Sequence, residues 1–137
     1  NGFGRFRNPS FNFDSAAGII YTVDVTKPYG KRITIERMAD DKPFEMDKQY
    51  RVAVNSYRGN GGGDLLTKGA GIPKAELAKR IVFSTDKDLR YYLMKRIEEV
   101  KVLNPAPLNQ WRFIPEKWTE PAAKRDYELL FGNKDNE

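Results

Sequence analysis

Residues 17–25 (AGIIYTVDV) are rich in β-branched side chains and alternate late in their run, and residues 31–36 (KRITIE) alternate charged and apolar positions. A period of two is that of a half-buried strand. The intervening TKPYG carries the proline and glycine of a turn, so the two runs predict a β-hairpin with Ile33 and Ile35 facing the core and Arg32, Thr34 and Glu36 facing out. Residues 37–49 are charged and interrupted by Pro43, which predicts a connection closing in a turn at 46–48. Residues 50–56 (YRVAVNS) return to period two and predict a third strand, which delivers the glycine-rich stretch that follows.

Beyond the glycines the period changes. Pro73 stands at a first helical position ahead of good helix formers in 73–79 (PKAELAK), and 81–83 is a short apolar strand. Residues 85–100 (TDKDLRYYLMKRIEEV) predict a helix: Leu89, Leu93, Ile97 and Val100 recur at i+4 and i+3, Thr85 supplies a cap, and Asp88 completes a capping-box-like start. The acid pairs Asp86/Asp88 and Glu98/Glu99 are read as capping and solvated charge rather than acid–base carboxylates, because early acids suit the helix dipole. Two prolines in 103–110 (LNPAPLNQ) break the helix, 111–114 is an edge strand ended by Pro115, and Pro121 starts a last polar helix to Phe131 before a GNKDNE tail. Residues 1–12 read as loop, with Phe3, Phe6 and Phe11 among Arg5 and Arg7. Anchoring of that loop by its phenylalanines is the expectation, and stacking on nucleic-acid bases the alternative. These elements predict an α+β fold of mixed β-sheets packed with helices. A chain of 137 residues fits one domain.

Composition narrows the chemistry. Histidine and cysteine are both absent, which removes the commonest general base, thiolate metal sites and disulfides. Serine–histidine triads and histidine-built dinuclear metal centres cannot be assembled from this chain alone. No apolar run approaches the ~20 residues of a membrane span. Net charge is +5, and the last 22 residues carry four basic and six acidic groups, leaving +7 on the part before Glu116. Such a charge permits an anionic partner without demanding one.

The stretch VNSYRGNGGGDLL, residues 54–66, is the candidate site. Glycine in this density lets the backbone adopt positive φ and lie close to a ligand. A phosphate loop needs a lysine and a Ser/Thr after its glycines, and here Asp64 follows instead. A dinucleotide fingerprint needs a helix directly behind the glycines, whereas 68–73 (KGAGIP) reads as continued loop. The residues suit a nucleoside, with Asn55 counted among the substrate-binding candidates: Tyr57 offers a flat face for a base, Gly61, Gly62 and Gly63 bring backbone close beneath, and Asp64 can accept from ribose hydroxyls. A plain glycine turn beside a buried tyrosine fits the same residues, and the residue types alone leave both open.

VNSYRGNGGGD resembles the C-terminal domain signature of the 5'-nucleotidase family, which includes UDP-sugar hydrolases and 2',3'-cyclic-nucleotide 2'-phosphodiesterases. Three further blocks are similar to that family: DSAAGIIYTVDVTKPYGKRI, STDKDLRYYLMKRI and LNPAPLNQWRFIP, so the likeness covers about residues 13–115. The resemblance implies a 5'-nucleotidase C-terminal-domain-like fold and an N-terminally truncated substrate-binding domain, with 1–12 as loop, 13–115 as core and 116–137 as an extra helix and tail. It implies no catalytic or metal residues here. A divalent metal pair is expected in an absent N-terminal metallophosphoesterase domain, which is then the partner of this chain, and the ligand is a nucleoside or nucleotide. In the family the base stacks between two aromatics. Tyr57 matches one, and the other lies upstream with the substrate-binding arginines, so Phe3, Phe6, Arg5 and Arg7 take neither role.

One departure bears on Asp64. Simple 5'-nucleotidases have an aromatic, three residues, two glycines and the ribose-binding aspartate, whereas here a third glycine moves Asp64 one place on, so Asp64 or Gly63 fills that slot. The Tyr-Arg pair and triple glycine look more like the cyclic-nucleotide phosphodiesterase branch. Family membership further implies an exported parent, periplasmic or at the cell surface. Two readings from other classes stand beside this one: a single-stranded nucleic-acid-binding module, and a structural or docking domain without ligand.

Overall fold

A computed structural model describes residues 12–132. In chain order the elements are β1 (Ile19–Asp24), β2 (Ile33–Met38), α1 (Ser56–Gly59), α2 (Leu89–Val100), β3 (Trp111–Ile114) and α3 (Glu116–Phe131), with single 3₁₀ and π turns between α1 and α2. They belong to two compact units, one formed by Asn1–Lys48 with Pro107–Glu137 and the other by Gln49–Ala106. The N-terminal stretch with its phenylalanines and arginines, Phe3 to Phe11, expected to be an anchored loop, and the end of the tail lie outside the described residues.

In the first unit the hairpin forms as its alternation predicts. β1 pairs antiparallel with β2 from Ile19↔Met38 to Val23↔Ile33, and parallel with β3 from Tyr21↔Trp111 to Asp24↔Ile114. The order is therefore β2-β1-β3, a mixed three-stranded sheet that with the helices makes the chain α+β. The β-branched strand takes the centre, where Tyr21 and Thr22 are buried on opposite faces. Tyr21 stacks on its register partner Trp111 at 6.0 Å, and Phe13 and Phe113 pack on the same indole at 5.7 and 5.1 Å. The register slips between Ile20 and Tyr21 and leaves Glu36 without a facing residue. Its carboxylate accepts from Arg112 Nη2 of β3 at 3.2 Å.

Two sequence expectations in this unit need correction. Ile33 is exposed while Ile35 is half-buried, because Ile33 begins an edge strand that has a neighbour on one side only. The last helix begins at Glu116 with Pro115 in the cap position, and Pro121 lies inside it. Trp118 N–H donates to Pro115 O at 3.0 Å and closes the first turn. Pro121 therefore removes one backbone donor from a helix already under way.

The second unit departs further from the alternation. Residues 51–55 join no strand, and Val52 and Val54 are exposed. A strand needs a ladder partner, and 81–83, the other predicted strand here, is likewise unpaired. Residues 73–79 make two 3₁₀ turns, Lys74–Glu76 and Ala78–Arg80, in place of one α-helix. Between them Leu77, 6% exposed, is the buried apolar residue of this unit. α2 starts three residues later than Thr85 capping requires: the Asp88 carboxylate accepts from Tyr91 N–H at 2.9 Å and is the N-cap. Thr85 instead accepts from Lys87 N–H and shares a hydrogen bond with the Tyr92 hydroxyl at 2.7 Å.

Candidate functional site

Asn55 starts the local structure of the glycine stretch. Its side-chain Oδ1 accepts from Arg58 N–H at 2.8 Å and caps α1, while its carbonyl accepts from Gly59 N–H at 2.8 Å. The helix runs one turn and stops where Gly61 N–H donates to Arg58 O at 2.9 Å with Gly61 at φ 89°. That is a left-handed helix stop, the conformation for which glycine carries no steric penalty. Tyr57 is thus presented from a capped helical turn rather than from a strand.

Gly62 answers a different requirement. A Cβ there would fall 2.5 and 2.6 Å from Tyr57 Cε2 and Cδ2 and 2.6 Å from the Tyr57 carbonyl. The tyrosine ring edge rests on the glycine backbone, a close approach that no larger residue permits. Arg58 holds both parts together. It is only 5% exposed, its guanidinium lies over the Tyr57 ring at 5.3 Å from the centroid, and Nη1 donates to Gly62 O at 3.2 Å. Tyr57 nevertheless remains 56% exposed, so much of the ring is available to a ligand.

Behind Gly63, at φ 67°, comes Asp64 in the left-handed region at φ 61°. Consecutive left-handed residues turn the chain sharply into a single π turn, Leu65–Gly69, so a helical turn follows the glycines before the expected loop, which remains at 70–73. The Asp64 carboxylate accepts from Lys68 Nζ at 2.7 Å through Oδ2 and from Thr67 Oγ1 at 3.4 Å through Oδ1. The Lys68 hydrogen bond, with its charge, holds the Asp64 carboxyl below the ordinary carboxylate value, against a smaller opposing effect of desolvation.

Two open depressions flank this loop. One, of about 370 Å³, is lined by Ser56, Tyr57, Asn60, Gly61, Gly62 and Lys74. The other, of about 490 Å³, takes in Asp64, Thr67 and Lys68 and again Gly61 and Lys74. Tyr57 and Asp64 consequently occupy different depressions that meet at Gly61 and Lys74. Asn55 and Gly63 line neither and shape the backbone instead. Sequence reasoning passed over Arg58 and Lys74. The first had a signal, an arginine wedged between the aromatic and the glycines, whereas nothing in the sequence pattern marks the second.

Among the described residues no group of three or more histidine, cysteine, aspartate or glutamate side chains could hold a metal ion. Asp64 is taken up by Lys68, and Asp40 is held in the same way by Lys42. The donor set of the described residues does not fit a divalent metal pair. Among the described residues no helix is long and apolar enough to cross a membrane.

Comparison with known proteins adds two findings. The model of the 5'-nucleotidase, C-terminal domain family matches residues 5–68, which include both β1 and β2 and the glycine loop. The chain is also 34% identical over 121 residues to the trifunctional nucleotide phosphoesterase protein YfkN of Bacillus subtilis (strain 168), a match that takes in 80% of this chain and 8% of the relative. The chain therefore spans less than a tenth of that relative's length. No solved structure matches it significantly.

Proposed function

The chain belongs to the 5'-nucleotidase C-terminal domain family, and from that premise we propose that it is the nucleoside-binding wall of a nucleotide phosphohydrolase. The single observation that carries this reading is the seating of Tyr57: its ring edge lies on Gly62 and Arg58 braces it, yet it is half exposed in a depression. A pre-positioned aromatic of this kind offers a base a stacking surface worth ~1–3 kcal/mol. With the base on Tyr57, the sugar and phosphate extend past Gly61 toward Asp64, which becomes the ribose acceptor if the diol displaces Thr67 from Oδ1 while Lys68 stays on Oδ2. Asn55 and Gly63 act through the shape of the loop.

The hydrolytic step belongs elsewhere in the parent. A metal pair would supply Lewis-acid activation of the phosphate ester there, and this chain contributes binding and orientation of the leaving nucleoside. The Bacillus subtilis relative is a nucleotide phosphoesterase, the class of parent proposed, and an exported location goes with that assignment. Residues 13–115 are the part proposed to act as the substrate-binding core, with 116–137 appended to it.

The test is a titration of the chain with nucleosides, followed through the backbone amide signals of Gly61, Gly62 and Gly63. Those signals should shift saturably, and Tyr57→Ala should weaken the effect by about 5- to 150-fold, the range equivalent to one lost stacked base, while Tyr57→Phe retains it. Amides that do not respond to any nucleoside would remove the proposal. Oligonucleotide binding that falls steeply with salt and resists competition by mononucleosides would instead identify a nucleic-acid module.

A further inference from the structure

Five cationic side chains lie in or beside the glycine loop and the turns that follow it; three are engaged, and Arg80, at the end of the last turn, lines neither depression. Arg58 is buried and donates to Gly62 O, Lys68 is 2.7 Å from the Asp64 carboxylate, and Lys79 is 2.8 Å from that of Glu76. Lys74 differs: it is exposed, lines both depressions, and pairs with no carboxylate among the described residues.

Its place is set by the fold. Pro73 precedes it, and the turn it begins is closed by Glu76 N–H donating to Pro73 O at 2.8 Å and Leu77 N–H to Lys74 O at 3.3 Å. Leu77 is buried and packs on the glycine loop, where a Cβ on Gly61 would meet its Cδ1 at 3.1 Å. A buried leucine three residues on therefore clamps the Lys74 turn to Gly61, at the junction of the tyrosine and aspartate depressions. An ammonium with three donors and no acceptor, carried by that turn and without a carboxylate partner among the described residues, suits an anion on a ligand whose flat part lies on Tyr57.

We propose that Lys74 is a specificity-determining residue that contacts the phosphate of the bound ligand, so that the site selects nucleoside monophosphates over nucleosides. The inference rests on the nucleoside reading of Tyr57 and assigns the phosphate end of the same ligand. Asp64 does not oppose it, because Lys68 already balances that carboxylate.

The experiment titrates the 137-residue chain with adenosine, guanosine, cytidine and uridine and with their 5'-monophosphates, at low and at physiological salt. Wild type, Lys74→Gln and, as a control outside both depressions, Lys79→Gln are compared. The preferred base should bind about tenfold more tightly as the monophosphate at low salt, as expected for one charge-assisted contact, and the preference should shrink as salt rises. Lys74→Gln should abolish the preference and leave nucleoside affinity in place, whereas Lys79→Gln keeps both. A preference that survives in Lys74→Gln overturns the inference while the nucleoside reading stands. Equal loss of nucleoside and monophosphate also overturns it, since Lys74 would then be part of the base wall. Lys74-dependent monophosphate binding that Tyr57→Ala does not weaken would uphold the anion contact and remove the stacking reading. No binding by any of the eight ligands would remove both.

Discussion

Gly62→Ala isolates the contact on which the site depends. The new methyl would lie 2.5 and 2.6 Å from two ring carbons of Tyr57 and 2.6 Å from its carbonyl oxygen, against an optimum of about 3.5–4.0 Å between carbon atoms. Something must therefore move by about 1 Å. The ring can swing, being 56% exposed, but the carbonyl belongs to α1 and moves only if the loop opens. Overpacking of this kind costs about 1–3 kcal/mol. Gly62 is not among the residues with positive φ, so alanine adds no backbone strain and regains about 0.4–1 kcal/mol through the unfolded chain. The net loss is about 1–2 kcal/mol, which should lower hydrogen-exchange protection at the Asn60 and Gly61 amides by about 5- to 30-fold. Those amides report the loop because they donate to Ser56 O and Arg58 O, each at 2.9 Å. In a Tyr57→Ala background only the carbonyl clash remains, so the penalty should be smaller and the two substitutions non-additive. Protection within about twofold of wild type, with unchanged Tyr57 ring resonances, would refute the seating of the ring on Gly62.

Two further outcomes follow from the same geometry. Arg58→Met removes the donor to Gly62 O and should destabilise the second unit by about 1 kcal/mol, the lower end of the cost of leaving a polar partner unsatisfied, because this one is only part-buried; denaturant unfolding checks it, and a change below about 0.5 kcal/mol would count against the brace. Asp64 has its folded pKa depressed below the ordinary 3.8 by Lys68, so the pair's contribution is present above that value and lost as pH falls through the folded pKa. Carboxyl resonances recorded against pH should show a midpoint below 3.8 that rises toward it in Lys68→Met; an unmoved midpoint would mean that another group holds the carboxylate.

Local chemistry was legible where the interactions are local. The hairpin, most of the helix expected at 85–100 and the strand at 111–114 follow from period and turn residues, and the glycine run forecast the positive φ of Gly61; the close approach at Gly62 is to the Tyr57 ring, where the sequence suggested a ligand. The misreadings share a cause. YRVAVNS has a strand's alternation, yet a strand exists only with a partner, and Asn55 instead caps a helical turn through a bond three residues away. Thr85 and Asp88 are both competent caps, and the choice fell to Asp88 when the Thr85 hydroxyl bonded to Lys87 and Tyr92. Pro121 is a good helix start, but Pro115 ahead of it is another, and the first turn closed there.

By itself the sequence determined which groups are available: no histidine or cysteine, one aromatic ahead of three glycines, and an aspartate behind them. It also determined the family, since motif order along a chain is a one-dimensional property. Only the tertiary structure decided how those groups are shared out. Tyr57 and Asp64 are seven residues apart, yet they line separate depressions because two left-handed residues turn the chain between them. Arg58 became a brace by being buried, and Lys74 reached the junction because Leu77 packs on Gly61. Burial and close approach depend on residues that meet in space, and no spacing along the chain encodes them.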